Sequence, residues 1–272
     1  MVEFAVPIEL SQVLLFTRSI GDPNPRFRDG GFVPPTYLMV ADSFDPEFDR
    51  RPSEDSTVEP SAKHKPEALL HVAQGFRYQR PIQVGEVLTA RRLPRREWTK
   101  HGRKGGTLEF LETTTEFCDI NGEVVAEAIW TDVRPQHGHR EMSVSAPEAS
   151  AIPFEASLPG HRISRTRIVM YVGAVGDFHP LHHDETYATA NGYPSVFAPG
   201  MLTMAIAGRA LTDHSGDRPV MSFEGRLAGQ VWPEDVLRTM IDTDGDTLGI
   251  RTVNQRGHIV FDGHATLGKT TA

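Results

Sequence analysis

Two short apolar-rich segments, Ile8–Phe16 and Ile163–Tyr171, read as helices, and each runs into a Gly-Asp turn, at Gly21-Asp22 and at Gly176-Asp177. Hydroxyl residues near their starts, Ser11 and Thr166, are expected to cap the free N–H groups of the first turn. The Gly-Asp-x-x-Pro pattern then closes each helix. A third segment, Met201–Ala207, is apolar nearly all round, the pattern of a buried helix. Between the Gly-Asp turn and that helix, 183–192 reads as a short helix closed by Asn191-Gly192. Strands follow. Glu109–Ile120 and Glu123–Trp130 flank Asn121-Gly122, which suits a type I′ hairpin turn. Ile250–Gln255 and Ile259–Leu267 repeat the arrangement around Arg256-Gly257. A long buried helix wrapped by an antiparallel sheet is the packing these elements favour.

The pattern occurs twice. Ile8 through Pro25 falls on Ile163 through Pro180 at one constant offset, and Val33-Pro34-Pro35-Thr36-Tyr37-Leu38 resembles Phe197-Ala198-Pro199-Gly200-Met201-Leu202. Between these two matches the second copy is nine residues longer. Further on, Arg77 through Leu88 echoes Arg226 through Leu237, and the two hairpins close both copies. Four matches in one order point to a duplicated fold. The expected units are 1–134, a Pro- and Ser-rich linker over 135–153, and 154–272.

Composition narrows the class. The chain has 272 residues, 39% hydrophobic and 24% charged, enough apolar side chains for a packed core. A formal net charge of −8 argues against general nucleic-acid binding, and Trp98, Trp130 and Trp232 are too scattered to form a stacking platform. The single cysteine, Cys118, lies in an expected strand and makes no intramolecular disulfide. No signal peptide is read at the start, and the most apolar window, Met201–Leu211, is about half of the roughly 20 residues a membrane span needs. These features predict a cytoplasmic protein in a reducing compartment.

The chemistry-bearing segment is Gly176-Asp177-Phe178-His179-Pro180-Leu181-His182-His183-Asp184. A turn held by glycine and proline sets a carboxylate, Asp177, five residues before an imidazole, His182, as shared proton transfer requires. Gly200 follows Ala198-Pro199 at the start of the buried helix, where free N–H groups and the positive dipole end favour a developing negative charge. The segment Gly176-Asp177-x-His179-Pro180-Leu181-His182, with Ala198-Pro199-Gly200-Met201-Leu202, resembles the MaoC-like, R-specific enoyl-thioester hydratases and dehydratases. That resemblance implies an α+β double hot-dog fold and Asp177 and His182 as the catalytic pair. It also implies that the Gly200 N–H holds the thioester oxygen, and it leaves His179, Pro199 and Met201 beside the substrate. The substrate would be an acyl thioester of coenzyme A or acyl carrier protein. His179 stands where the family has asparagine.

In the first copy Phe27 replaces His182 and Thr36 replaces Gly200. One active site per chain is therefore expected, and the resemblance to double hot-dog enzymes implies that the first copy makes room for the acyl group. No cofactor is implied, because no Gly-x-Gly-x-x-Gly follows a strand. His179, His182, His183 and Asp184 also admit a zinc reading. A hot-dog thioesterase or a non-catalytic acyl-binding subunit would fit the same pattern. The basic stretch Arg91–Lys104 reads as a solvated loop, or as a landing site for coenzyme A phosphates or an acidic carrier protein. Lys104-Gly105-Gly106 is a turn lacking the P-loop pattern. A homodimer is conceivable, although the duplication already supplies a paired sheet.

Overall fold

The computed structural model describes residues 2–29, 31–47, 69–101, 107–136 and 160–269. The helices are α1 (Leu10–Ile20), α2 (Pro25–Arg28), α3 (Arg165–Val175), α4 (Glu185–Ala190) and α5 (Gly200–Ser215). Ser164, with extended backbone at φ −79° and ψ 158°, caps α3 by accepting from the Arg167 N–H. A cap must sit outside the helix for its oxygen to reach back to a first-turn N–H. Thr166 and Ser11 are already inside α3 and α1, so the sequence assignment placed both caps too late, and α1 starts after Glu9 with no side-chain cap. Replacing Ser164 by alanine is expected to cost about 1 kcal/mol. Urea unfolding would show it, and an unchanged midpoint would remove the cap. Gly21 and Gly176 end α1 and α3 at φ 68° and 74°, a left-handed conformation that glycine adopts without steric cost.

Eleven strands are present among the described residues: β1 (Glu3–Pro7), β2 (Leu70–Tyr78), β3 (Val87–Arg92), β4 (Arg96–His101), β5 (Thr107–Cys118), β6 (Val124–Gln136), β7 (His161–Arg162), β8 (Val220–Leu227), β9 (Val236–Asp244), β10 (Thr247–Val253) and β11 (Ile259–Leu267). They pair in the order β1-β3-β5-β6-β2-β8-β11-β10-β9-β7, with β4 also on β5. The order is a palindrome of equivalent strands, so the two copies join edge to edge through β2 and β8. Gly75 pairs with Glu224, its own counterpart in the repeat, which places the pseudo-two-fold axis there.

Both hairpins differ in turn type from the expectation. The Gly122 N–H donates to the Asp119 carbonyl, and Gly122 alone takes a positive φ, 80°. A type I′ turn needs positive φ at both central residues, so this is a type I turn followed by a left-handed glycine. Asp119 Oδ1 explains the choice, since it accepts from the Asn121 and Glu123 N–H groups. Asn254 repeats the device with Arg256 and His258, ahead of Gly257 at φ 78°.

Among its described residues the basic stretch is largely strand rather than loop. Arg91 and Arg92 end β3, Pro94 interrupts the strand (a proline cannot donate to the ladder), and β4 continues along the same edge of β5. Arg91 is held by Glu3 and Arg92 by Asp45. Arg96 lies over Trp98, which stacks on Phe110. The expected turn at Lys104-Gly105-Gly106 lies outside the described residues. So does most of the expected linker, into which β6 extends as far as Gln136. Cys118 is buried at the end of β5.

The long helix of the second copy, α5, is buried from Met201 to Gly208 against the inner face of the sheet. In the first copy, the described part of the matching segment is the 3-10 helix Tyr37–Phe44. Helices α1 and α3 meet across the pseudo-axis and exchange equivalent bonds. Gln12 donates to the Ala174 carbonyl at 2.5 Å, and Arg167, its counterpart, donates to the Ser19 carbonyl at 2.7 Å. Beside them Arg209 of α5 donates to His161 Nδ1 at 3.2 Å. Burial first, then the charges of Arg209 and Arg167, push that imidazole down to about 4. His161 is therefore neutral at physiological pH and can accept. No helix among the described residues is long and apolar enough to cross a membrane.

Candidate active site

Three local devices bring Asp177 and His182 together. Gly176 turns the chain out of α3, Pro180 starts a single 3-10 turn, Pro180–His182, and His179 caps that turn. His182 Nε2 then lies 4.0 Å from Asp177 Oδ2, with the two side chains 11% and 16% exposed. That separation is too long for a direct hydrogen bond. A single water roughly 2.8 Å from each atom would span that distance.

The tautomer of His182 follows from its other nitrogen. Nδ1 lies 2.8 Å from the Phe197 carbonyl oxygen. A carbonyl only accepts, so Nδ1 carries a proton, and in its neutral form the ring presents the Nε2 lone pair toward Asp177. Phe197 was not singled out in the sequence, because it acts through its backbone from fifteen residues away. Its ring also packs edge-on against His182, at 5.4 Å between centroids, and against Trp232 and Tyr193. These rings give the pair an apolar wall.

Gly200 is the first residue of α5, after the buried Pro199. First-turn N–H groups have no intrahelical acceptor; the Leu202 N–H turns back to the Pro199 carbonyl at 3.0 Å, which leaves the Gly200 N–H as the donor at the helix end. A Cβ at Gly200 would fall 2.5 Å from Leu227 Cδ1, which leaves glycine as the residue that fits. Met201 is in the core at 4% exposure. The segment expected as one helix over 183–192 is shorter, with Asp184 capping α4 through the Tyr187 N–H.

His179 keeps the role its residue type had put in question. Its Nδ1 accepts from the Leu181 N–H at 3.2 Å, as Asn24 Oδ1 accepts from the Arg26 N–H at 3.0 Å in the first copy. An imidazole nitrogen thus does the work of an amide oxygen, and the turn is preserved. His183 points away, its Nε2 on the Phe178 carbonyl. Among the described residues, no three of His, Cys, Asp and Glu are gathered as a metal site requires.

The first copy has the carboxylate without its partner. Asp22 is 6% exposed, accepts from the Asn24 N–H at 2.9 Å, and has Phe27 where His182 stands in the second copy. Desolvation lifts Asp22 to about 6, with Asp213 adding to the rise, and Asn24 and Arg209 opposing it.

Residues 149–262 match the family model described as the MaoC like domain, and residues 2–128 match the FAS1-like dehydratase domain region. The chain belongs to the MaoC-like family. It is a double hot-dog protein, in which the Gly-Asp turn is followed by an imidazole at the His182 position in the second copy and by Phe27 in the first. This MaoC-like chain is 31% identical over 186 residues to 3-hydroxyacyl-thioester dehydratase Y of Mycobacterium tuberculosis, covering 65% of the chain and 62% of that protein. Over 91 residues it is 34% identical to the peroxisomal hydratase-dehydrogenase-epimerase of Saccharomyces cerevisiae, covering 33% of the chain and 10% of that protein. It therefore spans less than two thirds of either relative. In fold it is similar to the crystal structure of a MaoC-like dehydratase from Phytophthora capsici, with a TM-score of 0.72 at 21% identity, covering 99% of this chain and 96% of that one.

Proposed function

We propose that this chain is a hydro-lyase that adds water to trans-2-enoyl thioesters, giving (R)-3-hydroxyacyl thioesters, or runs the reverse dehydration. The observation that carries this reading is the His182 Nε2 to Asp177 Oδ2 gap of 4.0 Å, with Nδ1 tied to the Phe197 carbonyl. The pair shares one proton besides the one on Nδ1. Water held between them gives a proton to the unprotonated member as its oxygen attacks C3. The protonated member delivers its proton to C2, so one C–O and one C–H bond form and the pair exchanges its proton. Charge moving onto the thioester oxygen is met by the first N–H groups of α5, Gly200 foremost. In this reading His179, whose ring lies 5.8 Å from that of His182, and Pro199, just before Gly200, flank the substrate, with Met201 following in the buried start of α5.

The acyl thioester would be carried by coenzyme A or acyl carrier protein, and the reaction as written consumes no other cofactor. Arg95, just before β4, and Lys100, within it, are exposed cations that could meet such a carrier, whereas Arg91 and Arg92 are engaged by carboxylates. The direct test follows loss of the enoyl-thioester absorbance with short and long trans-2-enoyl-coenzyme A substrates, while a thiol reagent monitors free coenzyme A. Hydration without thiol release is expected. Thiol release at the rate of absorbance loss would make the chain a thioesterase instead.

A further inference from the structure

The first copy reaches into the second copy's catalytic turn. Val175 is the last residue of α3, and its carbonyl is among those a helix end leaves without an intrahelical donor. Ser43, in the 3-10 helix Tyr37–Phe44 of the first copy, donates its hydroxyl to that carbonyl at 2.9 Å. The contact continues at the next residue. A Cβ on Gly176 would run into Ser43 Oγ and come within 3.2 Å of Ser43 Cβ and 3.4 Å of its Cα. Ser43 therefore covers the very residue whose left-handed φ of 74° releases the chain into Asp177.

The equivalent turn of the first copy is held differently. Its Gly21 is covered by the guanidinium of Arg167, the far end of a long side chain that also donates to the Ser19 carbonyl. A serine has one heavy-atom torsion and arginine has several, so the clamp at Gly176 is the stiffer one. Tyr171 lies one turn before Val175 in α3. It carries a hydroxyl that its counterpart Phe16 lacks, and its ring is fully buried against Phe16. Burial first, then the charges of Asp177 and of Asp42, the neighbour of Ser43, raise its pKa.

From this we infer that Ser43 is a positioning residue for the catalytic turn, fixing Asp177 at the distance from His182 that a shared water needs. The inference rests on the hydration reading above. Displacing a reacting group by about 1 Å can cost on the order of 10²-fold in rate. Losing one anchoring bond is expected to cost less, about tenfold in kcat.

The experiment first establishes hydration by the wild-type chain with a trans-2-enoyl-coenzyme A. It then compares Ser43→Ala with Arg167→Met, which removes the corresponding bond at the non-catalytic turn. Both are assayed well below their melting temperatures. The expected result is a kcat about tenfold lower for Ser43→Ala with KM within about twofold, and an unchanged kcat for Arg167→Met despite a lowered melting temperature. A Ser43→Ala enzyme with wild-type kcat would overturn the inference. So would equal kcat losses in the two variants, which would mark Ser43 as a stabilising contact only. Absence of hydration in the wild-type chain would instead overturn the reading on which it rests.

Discussion

Asp177→Asn and His182→Gln are each expected to lower hydration kcat by about 10²–10⁴-fold, the range typical of a general acid or base. Both replacements stay close to the original side chain in size and hydrogen-bonding capacity, so the fold should survive. An amide in place of the Asp177 carboxylate could not exchange a proton with water at neutral pH. A glutamine in place of His182 could still donate to the Phe197 carbonyl, but it would present no basic nitrogen at the position of Nε2. The double variant should be little worse than either single one, because the two groups act on one water and removing either disables both steps. Steady-state kinetics with melting curves would check this. A single variant retaining more than about a tenth of wild-type kcat would exclude that residue from proton transfer.

The largest effect on stability is expected at the first copy's surviving carboxylate. Asp22 is raised to about 6 from 3.8, chiefly by desolvation. A carboxyl group whose folded pKa lies above its unfolded value holds its proton more tightly in the folded state. It therefore contributes no penalty below about pH 4, loses stability for the chain as pH rises from about 4 to 6, and imposes the full penalty above about 6. Two units correspond to about 3 kcal/mol at most. Asp22→Asn keeps the oxygen that accepts from the Asn24 N–H and removes the buried charge. It should stabilise the chain by about 1–3 kcal/mol at pH 8 and hardly at all at pH 4. Hydration kcat should not change, since Phe27 leaves this carboxylate without an imidazole. Urea unfolding at the two pH values would decide it. A gain of equal size at both, or a loss at pH 8, would contradict the burial account.

Much of the site was legible because its geometry is local. Gly176, Pro180 and the five-residue spacing of Asp177 and His182 specify a turn whose conformation depends on few distant contacts. The duplication was legible for a similar reason: equivalent turns need equivalent glycines and prolines. Other parts were hidden by distance or by chemistry that residue type does not reveal. The Phe197 carbonyl that sets the His182 tautomer is a backbone atom, which every residue carries. Ser43 lies in the other copy, and nothing about an isolated serine points across the pseudo-axis. His179 looked like a disruption of the pattern, yet an unprotonated imidazole nitrogen accepts from a backbone N–H much as an asparagine oxygen does. The hairpins turned on Asp119 and Asn254, whose side chains pair with the backbone two and four residues on and so select a type I turn over the type I′ that Asn-Gly favours. Capping was misplaced by the nearness of rivals, with Ser164 and Thr166 two residues apart and only the former outside the helix.

The shared-water arrangement makes one stereochemical demand. In the proposed mechanism Asp177 and His182 address a single face of the enoyl group, so oxygen joins C3 and hydrogen joins C2 from the same side. Hydration of trans-2-butenoyl-coenzyme A in deuterium oxide, with the relative configuration at C2 and C3 read by proton NMR, measures this directly. Syn addition of deuterium and oxygen, with R configuration at C3, is the predicted outcome. Anti addition, or deuterium scrambled over both faces of C2, would contradict it.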